Sequence, residues 1–154
     1  MSGQAIVLAR VGALAPFISF LDAVGAPCER LLETERLAPD LMDDPNALFP
    51  LRQGLRFIDA AARSQGINDL GLIVGRRSSI VGMPPLSALL SPRLTLAEAI
   101  ELLARNIRYF NSGQLLSLEC RDERAFFRQC LPSTPHRHAG VFSLILMIDV
   151  VRLA

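Results

Sequence analysis

Lysine is missing from this chain of 154 residues, and all sixteen of its basic residues are arginine. The arginines are spread along the sequence and the formal net charge is only +1, so no basic segment indicates a nucleic-acid interface. Two explanations for the use of arginine in place of lysine stay open: the codon usage of a GC-rich bacterial genome, or a recognition role for planar guanidinium groups. Codon usage is the simpler explanation.

Cysteine is scarce as well. Cys28, Cys120 and Cys130 are an odd number and show no CxxC spacing, which argues against a disulfide framework and against a zinc site. This usage is typical of a reducing compartment, and we expect the bacterial cytoplasm. The apolar run 11–21 is preceded by a single basic residue and closed by Asp22, so we do not interpret it as a secretory signal.

Long hydrophobic runs are also few. Apart from the N-terminal run, the longest is 139–148, which is too short to cross a bilayer, and we expect no membrane association. However, 51% of the residues are hydrophobic and only 20% are charged. This composition excludes a disordered chain and favours one core with a surface that joins a partner. We therefore expect a single domain over 1–154.

Apolar residues at helical spacing predict helices over 15–24, from Pro50 to Gly66 and over 95–110. The third is the best specified, because Thr95 and Glu98 have the spacing of a capping box. Its inward residues are expected to be Ala97, Ile100, Leu103, Ala104, Ile107 and Phe110.

A last helix is predicted from about His138. Residues 140–151 are apolar nearly all round, with only Ser143 and Asp149 as interruptions, so we expect this helix to be buried on more than one side. Gly71 and Gly75, four residues apart, favour a close contact between helices. No Gly or Pro ends the last helix before Ala154, and we expect the chain to be cut from a longer protein.

Residues 114–131 change to a period of two, which predicts a β-hairpin that turns at Asp122 and Glu123. Positions whose numbers sum to 245 then lie opposite each other. The face toward the core carries Leu116, Leu118, Cys120, Ala125, Phe127 and Gln129. A two-stranded hairpin is marginal alone, so a third strand should pair with it, either 6–9 or one from a partner. The whole pattern predicts a mostly helical α+β fold, with helices packed on one face of a small antiparallel sheet.

No group of reactive side chains converges in the sequence. His136 and His138 could be metal ligands in a strand, but Pro135 and the following helix favour a polar linker. Cys28 lacks the local signature of a nucleophile and is interpreted as a buried thiol. The run 75–79 has the glycine, arginines and serines of an anion cradle without the spacing of a phosphate loop, so we interpret it as a solvated loop. We predict no catalytic site, metal or cofactor, and no enzyme.

Three blocks of the sequence resemble a known family. They are 49–66, beginning Phe-Pro-Leu-Arg, then 69–75, Asp-Leu-Gly-Leu-Ile-Val-Gly, and 89–104, Leu-Leu-Ser-Pro-Arg-Leu-Thr-Leu-Ala-Glu-Ala-Ile-Glu-Leu-Leu-Ala. The pattern resembles the non-cupin N-terminal regulatory domain of AraC/XylS-type bacterial transcription regulators, often labelled arabinose-binding. The resemblance extends over about 14–118 and rests on packing positions. The segment 82–86 departs from it, because the family is usually richer in glycine and aromatic residues there.

The resemblance implies a domain that senses a small-molecule effector and forms a homodimer. It also implies that DNA is bound only through a C-terminal domain with two helix-turn-helix units, which is absent from this chain. Within 95–131 the helix at 95–110 is followed by a strand rather than a recognition helix, which agrees with that division. The family label does not establish arabinose as the ligand.

We predict that a small, partly apolar effector binds between the hairpin and the helix that ends near Tyr109. Arg108 and Tyr109 lie beside the start of the hairpin, while Leu116, Leu118 and Phe127 lie on its core face. Two alternatives stay open. Tyr109 could simply extend to the surface, and the chain could be a dimerisation or scaffold domain without a ligand, in which case the core would be filled.

Overall fold

A computed structural model describes residues 6–131 and 136–153. The elements in chain order are β1 Leu8–Arg10, α1 Ala15–Ala23, α2 Cys28–Thr34, β2 Leu48–Pro50, α3 Leu51–Gln65, α4 Leu70–Arg77, α5 Leu96–Phe110, β3 Leu115–Arg121, β4 Arg124–Cys130 and α6 Arg137–Leu153. Short 3-10 turns lie at Val11–Ala13, Pro39–Asp43, Ile80–Gly82 and Leu86–Leu89. The predicted α+β, mostly helical class is confirmed.

The capping box at the start of α5 is confirmed. The Glu98 amide donates to Thr95 Oγ1 at 3.3 Å, and the Glu98 carboxylate accepts from the Thr95 amide at 2.8 Å. The bonds from the Thr95 backbone and hydroxyl lower the pKa of Glu98. Ala97, which was expected to face inward, is exposed, and Ala99 is buried instead. The buried face otherwise follows the prediction and carries Ile100, Leu103, Ile107 and Phe110.

The predicted hairpin register is confirmed, because Leu118 lies opposite Phe127 in the antiparallel pair β3–β4. Asp122 and Glu123 form the turn with φ of 49° and 62°. Two successive left-handed residues are typical of the tight turn that matches the twist of a two-residue hairpin. Leu116, Leu118 and Phe127 of the predicted core face pack against the apolar core, whereas Cys120 and Ala125 near the turn are exposed. Helices therefore cover one face of this sheet, as predicted, except at its tip.

The segment 6–9 does not supply the third strand of the hairpin, and a strand from a partner stays a prediction. β1 pairs with β2, with Ala9 opposite Phe49, instead of extending the hairpin. Among the described residues, β1 has one further bridge, from Ala9 to Asn111, which lies between α5 and the hairpin. The Ser112 amide also donates to the Leu8 carbonyl at 2.9 Å. Within this chain the hairpin is stabilised by packing on α5, because burial of part of its apolar face favours the folded hairpin.

Two glycines bring α4 and α6 into close contact. A Cβ built on Gly71 would overlap the backbone carbonyl of His138, and one on Gly75 would lie 2.7 Å from Ile145 Cδ1. Because the glycines are four residues apart, they lie on the same face of α4. The predicted role of this pair in close helix packing is confirmed.

α6 is packed on more than one side, as expected, against α4 at Gly71 and Gly75 and against α1 through Phe142, but it is not covered all round. Leu144 and Ile148 are each 50% exposed and Val151 is 46% exposed, whereas Phe142 and Val150 are buried. Hydrophobic periodicity shows where apolar side chains lie on a helix, but it does not show whether a neighbour covers each face. α6 therefore presents an apolar outer stripe, defined here as Ile148 and Val151.

Replacement of Gly71 by alanine should lower the free energy of unfolding by about 1–3 kcal/mol, because the added methyl group forces α4 and α6 apart. Urea unfolding followed by circular dichroism measures the change. Gly140→Ala is the matched control, since a Cβ on Gly140 meets no heavy atom within 4 Å. That control should be neutral or stabilising by up to about 1 kcal/mol. Equal stabilities of the two variants would contradict the close contact.

Candidate functional site

A cavity of about 560 Å³ lies where α3, α5 and α6 meet the inner face of the hairpin. Its volume falls within the range of about 300–1,000 Å³ that is typical of small-molecule sites. The walls are mostly apolar. They include Phe17, Phe49, Leu51, Leu55, Ile58, Ile80, Met83, Leu86, Leu103, Ile107, Phe110, Leu116, Phe127, Phe142, Leu146, Met147 and Val150.

Aromatic packing positions two of these walls. The rings of Phe17 and Phe142 have centroids 4.8 Å apart and are tilted by 55°, which joins α1 to α6. The ring of Phe49 lies directly on α3 at Gly54, where a Cβ would overlap it. The absence of a side chain at Gly54 therefore gives Phe49 its place in the wall.

Three polar residues in the lining form an amide–hydroxyl cluster: Gln114, Gln129 and Ser143. Gln114 Nε2 donates to Ser143 Oγ at 3.1 Å and lies 3.4 Å from Gln129 Oε1, to which the Ser143 hydroxyl also donates. Gln114 precedes β3, Gln129 is in β4, and Ser143 is in α6. The cluster thus joins the base of the hairpin to α6, and it satisfies polar groups that would be costly to bury alone.

The cluster keeps unused hydrogen-bonding capacity. The bonds found among the described residues involve only the Nε2 end of the Gln114 amide and only the Oε1 end of the Gln129 amide. Within that part of the chain, the carbonyl oxygen of Gln114 and the amino group of Gln129 have no partner. An amide has both a donor and an acceptor end, so the cluster offers one of each to a ligand.

Two ionisable side chains line the cavity, and each already faces a carboxylate. His136 Nδ1 lies 2.9 Å from Asp59 Oδ2 of α3, and the Arg137 guanidinium lies 3.0 Å from Asp69 Oδ1. No local pattern in the sequence indicates the contact between His136 and Asp59, because 77 positions separate them. Each of the two basic side chains therefore already has a carboxylate neighbour.

The two histidines do not act together. The ring of His138 accepts a hydrogen bond from the Gly71 amide at 3.4 Å, at the contact of α4 with α6. Among residues 6–131 and 136–153, no three metal-ligating side chains come together. The geometry agrees with the interpretation of His138 as a residue that begins a helix.

The predicted effector residues fall into two groups. Leu116 and Phe127 line the cavity, while Leu118 packs against the core outside the lining. Arg108 and Tyr109 do not line it, and Tyr109 is 73% exposed. The buried face of α5 carries Ile107 and Phe110, so the two positions between them turn toward solvent. Tyr109 thus extends to the surface, which is one of the alternatives predicted for it from the sequence.

The polar cluster was missed, although two of its members carried a usable signal. Gln129 is a polar residue on the predicted core face of the hairpin, and Ser143 interrupts an otherwise apolar helix. A polar residue at an inward position needs a partner or a ligand, since an unpaired buried amide is costly. Gln114 is 9% exposed and had no comparable signal, because it lies at the start of the hairpin.

The run 75–79 is not the solvated loop that was expected. Gly75, Arg76 and Arg77 belong to α4, and the Arg77 guanidinium lies over the ring of Phe20 at 5.1 Å from its centroid. The Ser79 hydroxyl and the Ile80 amide both donate to Asp149 of α6, at 2.8 and 2.7 Å. These residues therefore hold α6 in place.

Cys28 is buried in the core. Burial, with a smaller effect of Asp22, raises the pKa of the Cys28 thiol from the ordinary 9.0 to about 12. At neutral pH this rise lowers the thiolate fraction by about three orders of magnitude, so the thiol is a packing group rather than a nucleophile. Cys120 and Cys130 are exposed, and all three cysteines are free.

An apolar cavity of ligand size with a small polar cluster in its wall is typical of a ligand-binding domain. The family model for the N-terminal arabinose-binding domain of the AraC transcription regulator matches residues 25–154, and the chain belongs to this family. This confirms the resemblance found in the sequence. The family consists of ligand-binding regulatory domains rather than enzymes. No curated protein matches the chain.

None of the helices in residues 6–131 and 136–153 combines the length and the hydrophobicity of a membrane-spanning segment.

The cysteines allow a direct check of the core around Cys28. Iodoacetamide near neutral pH should modify Cys120 and Cys130 readily, whereas Cys28 should react at least about a hundred times more slowly because its thiol is buried and protonated. Mass spectrometry of peptides from timed reactions measures each site. Modification of all three cysteines at similar rates in the folded protein would show that Cys28 is not buried as described.

Proposed function

We propose that the cavity is the effector site of an AraC-type regulator. In this proposal the domain forms a homodimer, and the effector controls DNA binding by a C-terminal domain outside this chain. The observation that carries the proposal is the cavity of about 560 Å³ in a member of this ligand-binding family. A bacterial cytoplasmic location accompanies it, supported by three free cysteines.

The competing function is a dimerisation or scaffold domain without a ligand. Such a domain needs a filled core, because a close-packed interior is the more stable one. The cavity favours effector binding over this alternative, and the cluster of Gln114, Gln129 and Ser143 favours it further. A core shaped for stability alone would fill such a space with apolar side chains.

α6 connects the cavity with the proposed dimer contact. Its inner side lines the cavity with Phe142, Ser143 and Val150, while its outer stripe is exposed. We place a second copy of the chain on this stripe. The resemblance implies a dimer, and the stripe is an exposed apolar surface of α6. An effector then changes the arrangement of the subunits only if it binds two arrangements with different affinity.

Gly140 offers a way to block the cavity. It lies in the lining, and a Cβ built there meets no heavy atom within 4 Å. Gly140→Leu should therefore add a side chain to the cavity wall with no clash at its Cβ, and leucine favours a helix more than glycine does. In a thermal-shift screen of metabolites, compounds that raise the melting temperature of the wild type in a concentration-dependent way should have at least about tenfold less effect on Gly140→Leu.

Gly82→Leu is the matched control, because Gly82 also has open space around its Cβ position but lies outside the cavity. This variant should respond to the same compounds as the wild type. Compounds that stabilise wild type and Gly140→Leu equally would place the effector elsewhere. A screen without any stabilising compound would favour the scaffold function.

The dimer contact has its own test. Ile148→Asp places a charge on the outer stripe and should weaken self-association at least about tenfold, because the carboxylate would have to be buried. Leu115→Asp is the control, since Leu115 is 53% exposed on β3 and is not part of the outer stripe. Sedimentation velocity over a concentration series measures both. Equal association of the two variants, or a monomeric wild type, would contradict the proposed contact.

A further inference from the structure

We infer that the effector is an uncharged amphiphile: an apolar body with a single head group that both donates and accepts a hydrogen bond, such as a primary amide or an alcohol. This inference rests on the proposed function and names the chemical class that the cavity takes. It also departs from the sugar in the description of the family.

The distribution of polarity in the cavity argues against a free sugar. A pentose carries a hydroxyl or ring oxygen on every carbon and needs partners on all sides. Here three of the four neutral polar residues in the lining form one cluster. The fourth, Asn111, adds an amide whose Oδ1 already accepts from the Gly113 amide at 3.1 Å. The other walls are apolar, apart from His136 and Arg137. A bound pentose would leave most of its hydroxyls against apolar side chains, which is unfavourable.

The charges at the cavity argue against an ionised head group. His136 lies against Asp59 and Arg137 lies against Asp69, so each basic side chain in the lining already has a carboxylate neighbour. A ligand carboxylate would have to compete with these neighbours, and a ligand cation would meet no carboxylate in the lining. A charge removed from water without a partner is strongly unfavourable. A neutral head group avoids both costs.

The amide–hydroxyl cluster determines what the neutral head group must do. The amino group of Gln129 can donate to the ligand, and the carbonyl oxygen of Gln114 can accept from it. A primary amide or a hydroxyl has both complementary functions in one small group. A ketone or an ester only accepts, and it would use the Gln129 end of the cluster alone.

The test compares four probes of different chemistry on the 154-residue chain by isothermal titration calorimetry: decanamide, decanol, decanoate and arabinose. Butylbenzene is a fifth probe, without a head group. We expect decanamide and decanol to bind and to compete with butylbenzene for one site. Decanoate should bind at least about tenfold more weakly than decanamide at neutral pH, because its carboxylate finds no free cation, and arabinose should give no binding heat.

Gln129→Leu tests the head-group contact. The variant should bind decanamide about three- to tenfold more weakly than wild type, which is the effect of one neutral hydrogen bond, and should bind butylbenzene unchanged. Gln53→Leu is the matched control, since Gln53 lies in α3 outside the lining, and it should bind both probes like wild type. Circular dichroism confirms that both variants are folded.

The outcomes separate this inference from the proposed function. Arabinose binding that Gln129→Leu abolishes, or tighter binding of decanoate than of decanamide, would overturn the uncharged amphiphile and keep the cavity as the effector site. Equal loss of decanamide affinity in Gln53→Leu and Gln129→Leu would overturn the role of the cluster. Failure of every probe, butylbenzene included, to bind wild type would contradict both the inference and the cavity as a ligand site.

Discussion

The close approach of α4 and α6 is the constraint on which the cavity depends. At Gly71 and Gly75 no side chain separates the two helices, and the backbone of His138 occupies the space that a Cβ would take. This contact determines the position of α6, and α6 supplies Phe142, Ser143 and Val150 to the cavity. A methyl group at Gly71 is remote from the polar cluster in sequence, yet it would displace one whole wall.

Most of the neutral polar side chains in the cavity wall lie together in one cluster. Gln114, Gln129 and Ser143 satisfy one another only in part, and the remaining donor and acceptor belong to the same small area of the wall. Amides that are only partly paired impose a direction on binding, because a ligand that covers them without placing its head group there leaves them without partners. The apolar walls provide most of the favourable contact, and the cluster selects the orientation.

Local patterns in the sequence predict the helices and strands well where the geometry depends only on residues that are close in sequence. The capping box at Thr95 and the hairpin turn at Asp122 and Glu123 both follow from side-chain and backbone preferences within a few residues. Pairing of β1 with β2 and exposure of the α6 stripe depend on contacts between distant segments, which periodicity does not contain. The same limit explains why the Asp59 contact of His136 could not be predicted, and why Arg108 and Tyr109 were placed beside the cavity.

The hydrogen bonds at the two ends of α6 have a mechanical consequence. Near its start the ring of His138 is bonded to Gly71, and near its end Asp149 accepts from Ser79 and Ile80. A helix anchored at both ends cannot rotate about its long axis without breaking one of these attachments. The hairpin has an exposed tip, and the bridge to β1 comes from Asn111, ahead of the hairpin. The hairpin is therefore the wall of the cavity that moves more easily, so ligands of different width would displace it, whereas α6 would carry an effect to a second subunit only by a shift of the whole helix.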